Sequence, residues 1–171
     1  ASFVLTLVHL PNSLKCCVNG VVFRAYLVQP LKMNTQNSEQ QVKHGIFPLG
    51  EKNEKYADVF VGQSYLASLA AAPDASATVA NVSFEPACRN NWHIHTDGYQ
   101  ILLVTGGEGW YQEHGSPARS LKAGDVVVTD KGVKHWHGAK KDCWFSHIAI
   151  TAGSTEFLEP VDDAHYGTLP D

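Results

Sequence analysis

The chain has 171 residues, 44% of them hydrophobic and 18% charged, enough for one soluble globular domain with a real core and short for two. A formal net charge of -4 and the absence of any Lys/Arg stripe exclude an electrostatic nucleic-acid footprint. Of four cysteines, Cys16 and Cys17 are adjacent and Cys88 and Cys143 stand alone, so neither a disulfide framework nor a Cys zinc site is present; a Cys88 to Cys143 bridge stays open, and a reducing cytoplasm is the expected compartment.

The apolar run from Ala1 to Leu10 stops at Pro11, and the run from Val18 to Val28 is interrupted by Arg24. Neither reaches the roughly 18 to 20 apolar residues that cross a bilayer, and no membrane partner is expected. The start also lacks the charged region and small-residue cleavage site of a signal peptide. Met33 is the only methionine. Residues 1–32 are therefore expected to be a non-native or disordered extension ahead of a start at Met33, or failing that an extra strand pair. Residues 33–57, polar and punctuated by Gly and Pro, are expected to form an N-terminal arm.

From residue 58 to 152 the texture is β-rich. Val59 to Val61 is strand-like, whereas the stretch from Tyr65 to Ala72 fits a strand or a short helix by propensity. Thr78 to Phe84 is a strand whose parity puts Ala80, Val82 and Phe84 on one face. Turn chemistry then recurs at short intervals: Gly106 to Gly109, His114 to Pro117, Ala123 to Asp125, Asp130 to Gly132 and Lys140 to Asp142. Between the last three lie Val126 to Thr129, an apolar run suited to burial, and His135 to Ala139; Trp144 to Ile150 follows. The spacing predicts an antiparallel sandwich or barrel. Residues 153–171 form an acidic tail with one helical turn after Pro160.

Chemistry concentrates in Asn90 to Gln100. If this stretch is extended, His93 and His95 project from one face of a strand. An Asp97-Gly98 turn then lets Gln100 open a returning strand beside them. His135 and His137 repeat the two-residue spacing. One such pair is commonly an ordinary pair of hydrogen-bonded imidazoles; two in one β-rich chain point to metal ligation by nitrogen and oxygen donors. The remaining histidines, apart from His147, are expected to face water, and Trp92, Tyr99, Trp110, Trp136 and Trp144 to serve packing.

These residues resemble the cupin superfamily, whose fold is an all-β double-stranded β-helix, or jelly-roll barrel. His93, His95, Gln100 and Gly106 or Gly107 match its first motif, and Gly124, Gly132 and His135 its second. Ala87 stands where the first motif has glycine, Asp130 where the second has proline, and Gln100 where glutamate is usual. A neutral amide there leaves a divalent ion its full double charge. Glu108 to Trp110, Lys134 to Ala139 and Ser146 to Ile150 narrow the likeness. They are similar to small single-domain cupins related to bacterial manganese-dependent hydroxynitrile lyases, many labelled carboxymuconolactone-decarboxylase-like.

The resemblance implies metal ligands His93, His95, Gln100 and His135, with His137 and His147 as acid/base groups beside them. Manganese is the first expectation, with iron, nickel, cobalt or zinc suited by the same donors. His137 has a second reading as an outer-shell or fourth ligand, and His147 as a core histidine. Three functions follow: a lyase acting on a carbon–carbon bond at a carbonyl, an oxygen-using dioxygenase, and a small-molecule-binding module. Besides a small-molecule substrate, the expected partner is a second copy of the chain, as a homodimer or homotetramer.

Overall fold

The computed structural model describes the backbone of residues 8–10, 13–18, 21–26, 35–70 and 76–170, and side chains from residue 37 onward within these spans. The chain divides into two units, residues 1–32 and residues 33–171. In the first, β1 (Val8–Leu10), β2 (Ser13–Val18) and β3 (Val21–Tyr26) form an antiparallel sheet in that order.

The second unit opens with helix α1 (Thr35–Lys43), where the sequence predicted only a polar arm. Its polarity had hidden an anchor: Val42 is buried, the Ser38 hydroxyl accepts from the backbone N–H of Trp144 at 3.0 Å, and Gln41 Oε1 accepts from that of Gly107 at 3.2 Å. The short strands β4 (Glu51–Lys52) and β5 (Phe60–Val61) follow, with a 3-10 turn at Ala57–Val59 between them. Next come β6 (Ser64–Ala70), β7 (Ala77–Phe84), β8 (Arg89–Asn90), β9 (His93–His95) and β10 (Gln100–Glu113). The run is completed by β11 (Arg119–Lys122), β12 (Val126–Thr129), β13 (His135–Ala139), β14 (Phe145–Ala152) and β15 (Thr155–Phe157), before helix α2 (Asp163–Gly167). Tyr65 to Ala70 is thus strand, not helix. No helix among the described residues is long and apolar enough to cross a membrane.

These strands curl into a double-stranded β-helix organised by β10. Gln100 to Gly107 pair with β14, and Gln100 to Leu103 also with β12, in a sheet that continues through β7, β6 and β4. Glu108 to Glu113 pair with β11 and β13 in the facing sheet, where β13 also holds β8 and β9, and β9 holds β15. The glycines from 106 to 109, predicted as a chain reversal, instead bend one continuous strand. The register shifts between Val104 and Gly106, Gly107 takes φ 68°, and a Cβ on Gly107 would lie 1.7 Å from the Trp144 carbonyl oxygen.

Between the sheets lies a core of Val82, Phe84, Leu102, Val104, Tyr111, Leu121, Val127, Phe145 and their neighbours. Trp110, Trp136 and Trp144 are buried, as expected of packing residues, while Tyr99 is 42% exposed. The run of valines is not buried throughout. Val126 and Val128 are 51% and 58% exposed, because β12 alternates its side chains between solvent and core. Cys88 and Cys143 are buried and free.

Candidate metal centre

The strand parity read from the sequence holds: His93 and His95 are buried on one face of β9, and His135 and His137 on one face of β13. Antiparallel pairing sets His93 directly opposite His135, with ring centroids 4.0 Å apart. One nitrogen from each of His93, His95 and His135 lies within 4.8 Å of the other two. The three histidines are positioned to bind a metal.

Outer groups decide which nitrogen faces inward. Nδ1 of His93 sits 3.0 Å from the Asn91 carbonyl oxygen, and Nδ1 of His135 sits 2.9 Å from that of Val133. Only a protonated nitrogen can meet a carbonyl, so in these neutral rings Nε2 keeps the lone pair. His95 Nδ1 meets the Thr155 hydroxyl at 3.1 Å, and its Nε2 is buried without a partner.

Gln100 closes the ring. Its amide nitrogen donates to the Thr151 hydroxyl at 3.1 Å, which turns Oε1 toward Nε2 of His135 at 3.3 Å. Two lone pairs facing one another make no hydrogen bond; a cation between them satisfies both. The residues therefore fit a divalent ion, by the orphaned His95 nitrogen and by this acceptor pair alike.

The electrostatics agree. Burial, and then the neighbouring His135, hold His93 well below the usual imidazole range. Burial pushes His135 down to about 4 and also lowers His95. The Gln100 carbonyl works the other way on His93 and His95, favouring positive charge at the centre. All three imidazoles are thus neutral at pH 7, the form that metal ligation requires.

His137 and His147 form a separate pair. His147 on β14 lies 3.2 Å through Nε2 from Nδ1 of His137, and both rings are buried. Burial pushes His147 down to about 3; burial and the His147 ring together lower His137. Both line a cavity of about 730 Å³ together with His93 and Gln100. Its walls are apolar at Phe60, Leu66, Val82 and Ala149, and no carboxylate lines it among the described residues.

Residues 80–144 match the family model for the Cupin domain. The chain is 39% identical over 115 residues to an (R)-mandelonitrile lyase from Granulicella tundricola, an alignment covering 64% of this chain and 87% of the relative. The chain belongs to the cupin superfamily. Among solved structures, this cupin is similar to a cupin-like protein from Thermotoga maritima, with 42% identity and a TM-score of 0.67 over 71% of this chain and 93% of that one. A DMSP lyase from Ruegeria pomeroyi, 19% identical with a TM-score of 0.51 over 65% of this chain and 57% of that one, shares the fold.

Two features of this cupin departed from the sequence reading. β9 and β10 do not pair with each other; Thr96 to Tyr99 carries the chain from one sheet to the facing one. Asp97 Oδ1 accepts from the Ser154 N–H at 2.5 Å there, and a Cβ on Gly98 would lie 2.0 Å from the Ala152 carbonyl oxygen. Gln100 reaches the histidines by that crossing rather than by a hairpin. Thr155, Thr151 and Asn90 were also missed. Thr155 lies 60 residues from the ring it touches, and only the pairing of β15 with β9 reveals it.

Proposed function

We propose that this cupin is a metal-dependent lyase of the hydroxynitrile-lyase kind, cleaving or forming the carbon–carbon bond of a cyanohydrin. The observation that carries the reading is the convergence of one ring nitrogen from each of His93, His95 and His135 with the Gln100 carbonyl, beside a buried imidazole pair in a cavity with apolar walls. The (R)-mandelonitrile lyase relative supports the same substrate class.

His93, His95, His135 and Gln100 would hold the ion, manganese first among those their donors suit. Ligated by four neutral groups, a divalent ion keeps its double charge and supplies Lewis acidity to a substrate oxygen, typically worth several kcal/mol at the transition state. The protein's own residues do the rest. Phe60, Leu66, Val82 and Ala149 receive the apolar part of the substrate and exclude water from it. His137 and His147, neutral at pH 7, hold and move the proton that the reaction transfers between hydroxyl and cyanide.

The test is release of benzaldehyde and cyanide from mandelonitrile by purified protein, stripped by chelator and reloaded with each metal, with and without oxygen. Metal-dependent, oxygen-independent release supports the lyase. Oxygen consumption restored by iron would replace it with a dioxygenase, and ligand affinity without turnover by a binding module.

A further inference from the structure

Phe157 on β15 stands directly opposite His93 of the candidate centre. Residues opposite one another across an antiparallel pair face the same way, so the Phe157 side chain shares the interior face with that imidazole. Their ring centroids are 5.4 Å apart. His135 is paired to His93 from the other neighbouring strand, which makes Phe157, His93 and His135 one row of rings across β15, β9 and β13.

Tyr56 extends the row. Its ring lies 6.1 Å from that of Phe157, tilted by 45°. A third ring between two others needs about 7 Å, twice the contact distance of carbon atoms, so Tyr56 and Phe157 make one wall and not a slot. Both are half-buried, and both line the same cavity as His93 and Gln100. The lining beside the imidazole pair is different. Val82 is paired to His147 and Leu66 to Val82, an aliphatic surface, while Phe60 packs on Phe84 at 5.7 Å and so belongs to the core side.

We propose that Phe157, backed by Tyr56, is a specificity-determining residue of this site and selects a substrate carrying a planar aromatic ring over one carrying a saturated ring of the same size. This rests on the reading of the cavity as the site for an aldehyde and its cyanohydrin. Aromatic pairs gain from offset or edge-to-face contact beyond the area they bury, whereas aliphatic walls respond to area alone. Leu66 and Val82 therefore accept either ring, and Phe157 discriminates between them.

Benzyl alcohol and cyclohexylmethanol, which differ only in the ring, are the probes, each titrated by ligand-observed NMR into the full chain loaded with diamagnetic zinc. On buried area alone the saturated ring would bind at least as well. With the wall acting, benzyl alcohol is expected to bind about two- to tenfold more tightly. Phe157→Leu keeps apolar bulk and should abolish that preference, Phe157→Trp should retain it, and Phe60→Leu should leave it unchanged. A parent without the preference, or a preference that survives Phe157→Leu, overturns the proposal, as does its loss in Phe60→Leu. Should Phe157→Leu fail to fold, Tyr56→Leu takes its place, and an undiminished preference there has the same force. The preference without turnover of mandelonitrile would strike only the lyase reading, and turnover without the preference only the role of Phe157.

Discussion

His93 and His135 face each other across two antiparallel strands with ring centroids 4.0 Å apart, each tied through Nδ1 to the carbonyl two residues before it. Two imidazoles at that distance tolerate one cation between them and resist a proton on either. Acid therefore acts on the metal-free protein through these rings. Below about pH 6.5 the unfolded chain's imidazoles take up protons that the folded chain refuses, so stability is fully present above that pH and falls as pH drops. For His135, held at about 4, the loss runs from about pH 6.5 to 4 and amounts to about 3 kcal/mol. Burial lowers His93, His95, His137 and His147 as well, so each adds to the same loss of stability as pH falls. Circular dichroism of the stripped protein should show cooperative unfolding near pH 5, and bound metal should shift it.

Replacing Thr155 by Val removes the hydroxyl 3.1 Å from His95 Nδ1 and leaves β15 otherwise intact. Metal affinity is expected to fall about 10- to 100-fold, the usual cost of losing an outer-shell partner. Competition against a chelator of known affinity measures it, and an unchanged affinity would remove Thr155 from the site.

Gln100→Glu keeps the reach of the side chain but brings a negative charge to the centre. Tighter metal retention is expected together with a kcat at least roughly tenfold lower, because part of the charge acting on the substrate is cancelled. Elemental analysis beside mandelonitrile kinetics separates the two effects.

His147→Ala is expected to lower kcat by about 10²- to 10⁴-fold, the range for losing a general acid or base, with metal content unchanged. His93→Ala should instead lose the metal. Equal metal loss in both variants would make His147 part of the ligand scaffold.

Ala87 has φ 64°, a left-handed conformation that costs a non-glycine residue roughly 1–2 kcal/mol. It stands where the first motif carries glycine. Ala87→Gly should raise stability, by up to about 1 kcal/mol once the added freedom of the unfolded chain is subtracted. A thermal melt reads this as a rise of a few degrees.

Much of the site was legible because strand parity is local: His93 with His95 and His135 with His137 needed only a period of two. The fold was legible from turn spacing for a similar reason. What escaped depends on register. Asn90, Thr151 and Thr155 are ordinary strand or turn residues until pairing of β8 with β13, β14 with β10 and β15 with β9 brings them to an imidazole or the amide. Glycine misled at 106–109, since the same residue reverses a chain and lets one strand bend against Trp144 and Phe145. Helix α1 escaped because its few inward contacts, among them Ser38 and Val42, leave no apolar stripe to see.

The 14 residues of β10 belong to both sheets. Gln100 begins that strand, and His135 is paired to Glu113 at its far end. Peeling either sheet from β10 dismantles the ligand set from one side or the other, so amide hydrogen exchange should be uniformly slow along the strand. Release of the ion and collapse of the barrel would then be a single cooperative event.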